Sequence, residues 1–174
     1  MSGLIHLYCG DGKGKTTAAV GLAIRAAGAG MKVVMVQFLK SQPTSELHII
    51  ESIPNIQVLR KKSIEKFSFS MTPQEKQLCA QQHNQCFQEA LKLVAQQRCD
   101  LLILDELMAA LNCQMIDEIM VKDFIEHKPE HLELVITGRN PPRYLMEAAD
   151  YISEIKKIKH PYDKGIPARV GIEK

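Results

Sequence analysis

The sequence has no tryptophan, and phenylalanine, tyrosine and tryptophan together make up only 5% of it. That leaves little material for the stacked aromatic platforms on which single-stranded nucleic acids are held. Charge of one sign is also missing. Twenty-two Lys and Arg stand against 20 Asp and Glu, a formal net charge of +2, too little to draw in a nucleic acid or an anionic membrane by bulk attraction. Long apolar runs are absent: Val33–Val36 and Leu101–Leu104 fall far short of the ~20 residues that span a bilayer. Residues 1–9 have neither a basic leader nor a full apolar stretch, so no secretory signal is expected. The five cysteines are an odd number and form no C-x-x-C pair, which fits free thiols in a reducing compartment. A soluble, cytoplasmic protein is the expectation.

What is present is an ordinary globular composition, 45% hydrophobic and 24% charged, over 174 residues, the length of a single domain (1–174). Apolar runs alternate with helical patterns. Strands are predicted at Leu4–Cys9, Lys32–Phe38, Ile56–Arg60, Leu101–Leu104, Leu132–Thr137 and Tyr151–Ile158. Helices are predicted at Lys15–Ala27, from Thr72 to about Gln97, at Met115–His127 and at Tyr144–Ala149. Thr72 at a cap followed by Pro73 suits a helix start. The span Ser41–Ser70 carries the weakest pattern. Strands separated by helices imply right-handed crossovers and a mostly parallel sheet covered on both faces, with ligands at the carboxyl ends of the strands.

The sharpest signal is Gly10-Asp11-Gly12-Lys13-Gly14-Lys15-Thr16-Thr17, set between a strand and a helix. Glycines let backbone amides turn inward as an anion nest, and the helix start adds its positive dipole end. Lys15 is placed to reach phosphate oxygens, and the Thr16 hydroxyl suits Mg²⁺. The loop is shorter than G-x-x-x-x-G-K-[ST], because Cys9 stands where the first glycine belongs. A polyphosphate therefore need not lie as it does in a kinase. Asp105 and Glu106 close the predicted strand Leu101–Leu104, where carboxylates serve a Mg²⁺ ion. One of them can instead cap a helix beginning at Leu107.

Four segments, GDGKGKTTAA (10–19), DLLILDEL (100–107), VITGRNPP (135–142) and KHPYDKGIPARVGIE (159–173), with VQFLK (36–40) as a weaker fifth, resemble the corrinoid adenosyltransferase family of the short P-loop type. The resemblance implies a three-layer α/β, P-loop NTPase-like (RecA-like) fold and a homodimer. It implies transfer of the 5′-deoxyadenosyl group of ATP to the cobalt(I) of a reduced corrinoid, with release of triphosphate. ATP and Mg²⁺ would be bound, the corrinoid would be the second substrate, and a reductase such as a flavoprotein would supply electrons. The cobalt is the nucleophile, so no side chain need attack.

On this reading Gly10, Asp11, Gly12, Lys13, Gly14, Lys15, Thr16, Thr17 and Arg139 bind ATP. Thr16, Asp105 and Glu106 serve the metal, and Phe67, Phe69, Asn140 and His160 face the corrinoid. Some roles stay open. Lys13 is either a phosphate ligand or a solvated lysine. Asp11, facing phosphates, must pair with a neighbour such as Lys13 or contact Mg²⁺ or the ribose. Phe67 and Phe69 are either a corrin-covering pair, with Phe69 where the family often has Trp, or the inner face of a strand. Arg139 binds triphosphate or a corrin propionamide, or makes a surface salt bridge. His160 contacts a substrate or caps the last strand. The helical face Cys79-His83-Cys86 is read as packing rather than zinc, since a fourth ligand is missing. His127 and His131 are separated by Pro129, which breaks their helical spacing. Arg60, Lys61, Lys62 and Lys66 read as a solvated basic face. The competing activities are phosphoryl transfer by a P-loop kinase or ATPase, and a corrinoid or nucleotide carrier without turnover.

Overall fold

The structure is a computed structural model that describes residues 2–40, 44–61 and 70–173. Phe67 and Phe69, with Lys62 and Lys66, lie outside the described residues.

Six strands form one parallel sheet: β1 (Ile5–Cys9), β2 (Val33–Gln37), β3 (Ile56–Leu59), β4 (Leu101–Asp105), β5 (Glu133–Thr137) and β6 (Tyr151–Glu154). Their order across the sheet is β3-β2-β4-β5-β1-β6. The three-layer α/β architecture expected for a P-loop fold is therefore present. The helices are α1 (Lys15–Gly28), α2 (Leu47–Ile50), α3 (Pro73–Ala95), α4 (Leu107–Asn112), α5 (Glu118–Glu126) and α6 (Arg143–Ala148).

Strand alternation sends Leu7, Val34, Val36, Leu102, Leu104, Leu134 and Ile136 to one face, where α3 to α6 cover them. Val33, Met35, Leu101, Ile103 and Val135 face the opposite way, under α1 and α2. Each fully buried leucine or isoleucine contributes ~1.5–3 kcal/mol. Besides Lys15, the buried positions of α1 are Ala19, Ala23, Ala26 and Ala27, a helical spacing of small residues that lets α1 lie close on the sheet and fixes where its first turn falls.

Helix starts follow the capping chemistry. Thr72 and Glu75 form a reciprocal capping box at α3, with Pro73 in the first helical position. The Asp117 carboxylate accepts from the amides of Ile119 and Met120, so α5 begins at Glu118 rather than at Met115. Met115 lies fully buried ahead of that cap. The weakly patterned stretch holds the short helix α2, whose Leu47 and Ile50 are buried.

The last strand is shorter than the expected Tyr151–Ile158 and ends at Glu154. The following residues are used by the glycine loop instead. Ile155 accepts a hydrogen bond from the Gly12 amide at 2.7 Å, and the Lys157 amide donates to the Asp11 carboxylate at 3.0 Å. A 3-10 turn, Pro161–Lys164, begins the tail.

Candidate active site

Parallel register brings the carboxyl ends of β1, β4 and β5 together. Gln37 pairs with Asp105, and Tyr8 with Thr137. The glycine loop leaves β1 and enters α1 at Gly14, which is left-handed at φ 117. Gly10 is also left-handed, at φ 99, and a Cβ there would stand 2.5 Å from the Ile155 carbonyl oxygen. The backbone of Ile155 thus packs against the loop at a distance only glycine permits.

Lys15 is buried, and its ammonium donates to the Gly12 carbonyl at 2.8 Å. Burial, then the nearby Arg139 charge, pull its pKa down. Asp105 is wholly buried at the end of β4. Its Oδ1 accepts from the hydroxyls of Thr16 and Thr137, each at 2.8 Å. Its Oδ2 has no hydrogen bond, yet the Lys40 ammonium lies 2.8 Å away as an ion pair. Lys40 also stands 3.5 Å from the Thr16 hydroxyl and 3.8 Å from Glu46. Sequence reasoning gave Lys40 no role, although it closes the VQFLK segment. Only the pairing of β2 with β4 shows that it meets Asp105.

Glu106 occupies the left-handed position (φ 62) before α4, and its side chain makes no capping hydrogen bond. Its amide donates to the Thr137 hydroxyl at 2.9 Å. Burial pushes its carboxyl up, and neighbouring Asp105 adds to the shift. The helix-cap alternative for this carboxylate is therefore not what the fold uses. Gly138, at φ 148, lets the turn after β5 approach α4: a Cβ there would lie 2.5 Å from the Met108 Cβ.

A cavity of about 330 Å³ opens over the loop. Asp11 to Thr17, Glu106 and Arg139 line one side, and the tail from His160 to Glu173 lines the other. Nine of the expected ligand positions thus converge: Asp11, Gly12, Lys13, Gly14, Lys15, Thr16, Thr17, Glu106 and Arg139. His160 joins them, its Nδ1 accepting from the Tyr162 amide at 3.1 Å. It caps the 3-10 turn rather than the last strand. Asn140 is not in the cavity lining; Asn112 donates to its backbone carbonyl at 3.4 Å and to that of Arg139 at 3.0 Å.

Three expectations are corrected. Asp11 does not pair with Lys13. It accepts from the Lys157 amide, which holds its carboxyl below the usual range, while Lys13 lies 3.9 Å from Glu173. The reason is the approach of residues 155–157, which places a donor nearer than the lysine. The Gly12 amide is not free for a phosphate, because it donates to Ile155. Arg60 is not merely solvated: its guanidinium donates to the Lys40 carbonyl at 3.1 Å.

The Cys79-His83-Cys86 face is buried in α3, as expected of packing. His83 accepts from the Leu39 amide through Nε2 at 3.2 Å, and its Nδ1 bonds to the Met115 carbonyl at 2.8 Å. Both nitrogens are thereby used, and the described residues hold no cluster of three or more His, Cys, Asp or Glu side chains placed to bind a metal. Nor is any helix among the described residues long and apolar enough to cross a membrane.

A family model described as ATP:corrinoid adenosyltransferase BtuR/CobO/CobP matches residues 1–173. The chain is 34% identical over 175 residues to a corrinoid adenosyltransferase of Escherichia coli, covering 98% of this chain and 85% of the relative. It is 33% identical over 175 residues to the corrinoid adenosyltransferase CobA of Salmonella typhimurium, with the same coverage of 98% and 85%. A third corrinoid adenosyltransferase, from Sinorhizobium sp, is 34% identical over 177 residues, covering 98% of this chain and 80% of the relative.

Proposed function

The chain belongs to the ATP:corrinoid adenosyltransferase family, and we propose that the cavity over its glycine loop holds the polyphosphate of ATP while C5′ of the ribose is presented to the corrinoid. The protein is a transferase that moves the adenosyl group of ATP to a corrinoid. The single observation that carries the proposed placement is the state of two cations. Among the described residues Lys15 and Arg139 line the cavity with no carboxylate within ion-pair distance. The Lys15 ammonium is buried, and the Glu106 and Asp11 carboxylates act on it only from beyond ion-pair distance, so a multiply charged anion seated against it relieves the cost of its charge.

The cobalt(I) of the reduced corrinoid supplies an electron pair to C5′. The C5′–O bond breaks, and its electron pair leaves with triphosphate. No proton need be taken from a nucleophile, so a general base has no task. The protein holds C5′ in line with cobalt and neutralises the leaving charge. Lys15, Arg139, Lys13 and the amides at the start of α1 do the second. Gly10, Gly12 and Gly14 set the loop's shape, and Thr17 lies at the cavity wall.

A Mg²⁺ ion suits this donor set. Asp105 Oδ2 is buried without a hydrogen bond, faces only the charge of Lys40, and shares its carboxylate with the Thr16 hydroxyl. Oxygen ligands of this kind are those that Mg²⁺ prefers. Thr16, Asp105 and Glu106 would hold it, and when bound it would supply positive charge to the phosphates.

His160 borders the cavity, and the proposal gives it the corrinoid side together with Asn140, Phe67 and Phe69, whose roles rest on the family resemblance. We further propose a single 1–174 domain and a cytoplasmic location, which the composition supports, and a homodimer served by an electron-donating reductase, which the family resemblance supports. The test mixes the protein with MgATP and chemically reduced corrinoid under anaerobic conditions. A cobalt–carbon product in the visible spectrum, with intact triphosphate released one for one, is expected. ADP as the phosphate product, or tight corrinoid binding with no product, overturns it.

A further inference from the structure

The tail residues Arg169 and Glu173 face the same cavity as Lys13, Lys15 and Arg139. Arg169 grips Glu173 in a fork. Its Nε donates to Oε2 at 3.1 Å and its terminal nitrogen to Oε1 at 2.8 Å, while its backbone amide also donates to Oε2 at 2.9 Å. The same carboxylate lies 3.9 Å from Lys13. Arg169 presses the Glu173 carboxyl down to about 2, so it is ionised at neutral pH. The Glu173 side chain is only 16% exposed, against 57% for Arg169 and 48% for Lys13. A carboxylate thus sits between two cations at the rim of an anion cradle.

We propose that Glu173 is a built-in occupant of the polyphosphate site, and that Arg169 is a further polyphosphate ligand released when the incoming anion displaces that carboxylate. The proposal rests on the reading of the glycine loop as the ATP cradle. Guanidinium pairs with phosphate in the same planar fork it makes with carboxylate, so the exchange costs the Arg169 guanidinium no hydrogen bonds, and only its backbone amide gives up the Glu173 acceptor. Each cation stays paired before and after. The arrangement also serves release: triphosphate is a highly charged product, and a tethered carboxylate that returns to Arg169 and Lys13 competes with it. The tail therefore trades polyphosphate affinity for turnover.

Wild type, Glu173→Gln, Arg169→Gln and the double variant are titrated calorimetrically with inorganic tripolyphosphate, and separately with adenosine. A melting curve is recorded for each. Glu173→Gln is expected to bind tripolyphosphate about tenfold more tightly, and Arg169→Gln several-fold more weakly, while adenosine binding stays within about twofold throughout. In the double variant most of the gain disappears, because it needs the freed guanidinium. A purely structural clasp would instead weaken tripolyphosphate and adenosine together. Glu173→Asp, which keeps the charge but shortens the reach, is expected to fall between wild type and Glu173→Gln, and supplies the test if the amide variant unfolds. Unchanged or weaker tripolyphosphate binding in a folded Glu173 variant overturns the inference. Lys15→Ala separates the two layers. If it binds tripolyphosphate as well as wild type, the cradle reading falls and this inference with it. If it binds weakly while the Glu173 variants match wild type, this inference alone falls.

Discussion

Replacing Lys40 by Met tests how the floor of the site is held. The change keeps the length of the side chain and removes its charge, leaving the wholly buried Asp105 with two hydroxyl donors and no cation. Removing one partner of a buried pair costs ~3–5 kcal/mol. Lys40 is 21% exposed and the two threonines still serve Oδ1, so the low end applies, about 3 kcal/mol. In a chain of this size that lowers the melting temperature by roughly 6–12 °C. Asp105→Asn removes the charge from the other side, and the double variant leaves neither ion stranded. The double variant should therefore lose less stability than the two single losses added together, by ~1–3 kcal/mol in urea unfolding followed by circular dichroism. Magnesium gives a second readout. If Mg²⁺ takes the oxygen that Lys40 now faces, the ion competes with the ammonium in wild type but not in Lys40→Met. At ten times its dissociation constant it adds about 1.4 kcal/mol to the variant, and less to wild type. A Lys40→Met protein with the wild-type urea midpoint, or a coupling below ~0.5 kcal/mol, refutes the reasoning.

Three other outcomes are expected. Gly10→Ala meets the Ile155 carbonyl and the left-handed strain together, whereas Gly14→Ala meets strain alone, since nothing lies within 4 Å of its Cβ. The first should lose more stability in a thermal melt than the roughly 1–2 kcal/mol of the second. His83 is held neutral by burial, which lowers its pKa. The unfolded chain then binds the extra proton, so stability is full above the unfolded pKa near ~6.5 and is lost as pH falls toward the folded value. His83→Phe should be less stable at pH 8 yet show a flatter acid limb in unfolding experiments, and an unchanged acid limb counts against that assignment. Lys128 donates to the carbonyls of Gly3, Pro129 and Leu132, at 2.8, 3.1 and 2.7 Å. Lys128→Met should cost ~1.5–3 kcal/mol in urea unfolding with no loss of ATP affinity.

Much of the fold was legible because its signals are local. Gly10 to Thr17 follows an apolar run and precedes an alanine-rich helix, and that pattern alone sets a glycine loop at a strand's carboxyl end. Thr72-Pro73 and Asp117 write helix starts into the chain, although Asp117 was passed over and α5 was expected too early. What stayed hidden depends on which segments meet. Lys40 is one lysine in a charged chain until β2 lies beside β4. For Asp11 the sequence offered a neighbour such as Lys13, Mg²⁺ or the ribose, because nothing in it shows that residues 155–157 run along the loop. The fork between Arg169 and Glu173 has the i, i+4 spacing of a helical pair, but it lies in a tail with no helical pattern, so the spacing carried no signal there.

The charges of the site sort by what already answers them. Asp105 is answered by Lys40, Asp11 by the Lys157 amide, and Glu173 by Arg169 with Lys13 behind it. Lys15 and Arg139 have no carboxylate within ion-pair distance among the described residues, with Glu106 and Asp11 acting on Lys15 from farther off, and burial makes Lys15 expensive to keep charged. That excess sits at the amide-rich start of α1, where an anion gains most from fixed dipoles. Glu106 supplies the opposite bias: burial and Asp105 hold its pKa up, so an arriving cation gains a carboxylate that is costly to ionise alone. Anion and cation therefore each lower the cost of the other's partners, and binding of polyphosphate and Mg²⁺ should be mutually reinforcing rather than independent. On the proposed reading these charges serve the leaving triphosphate.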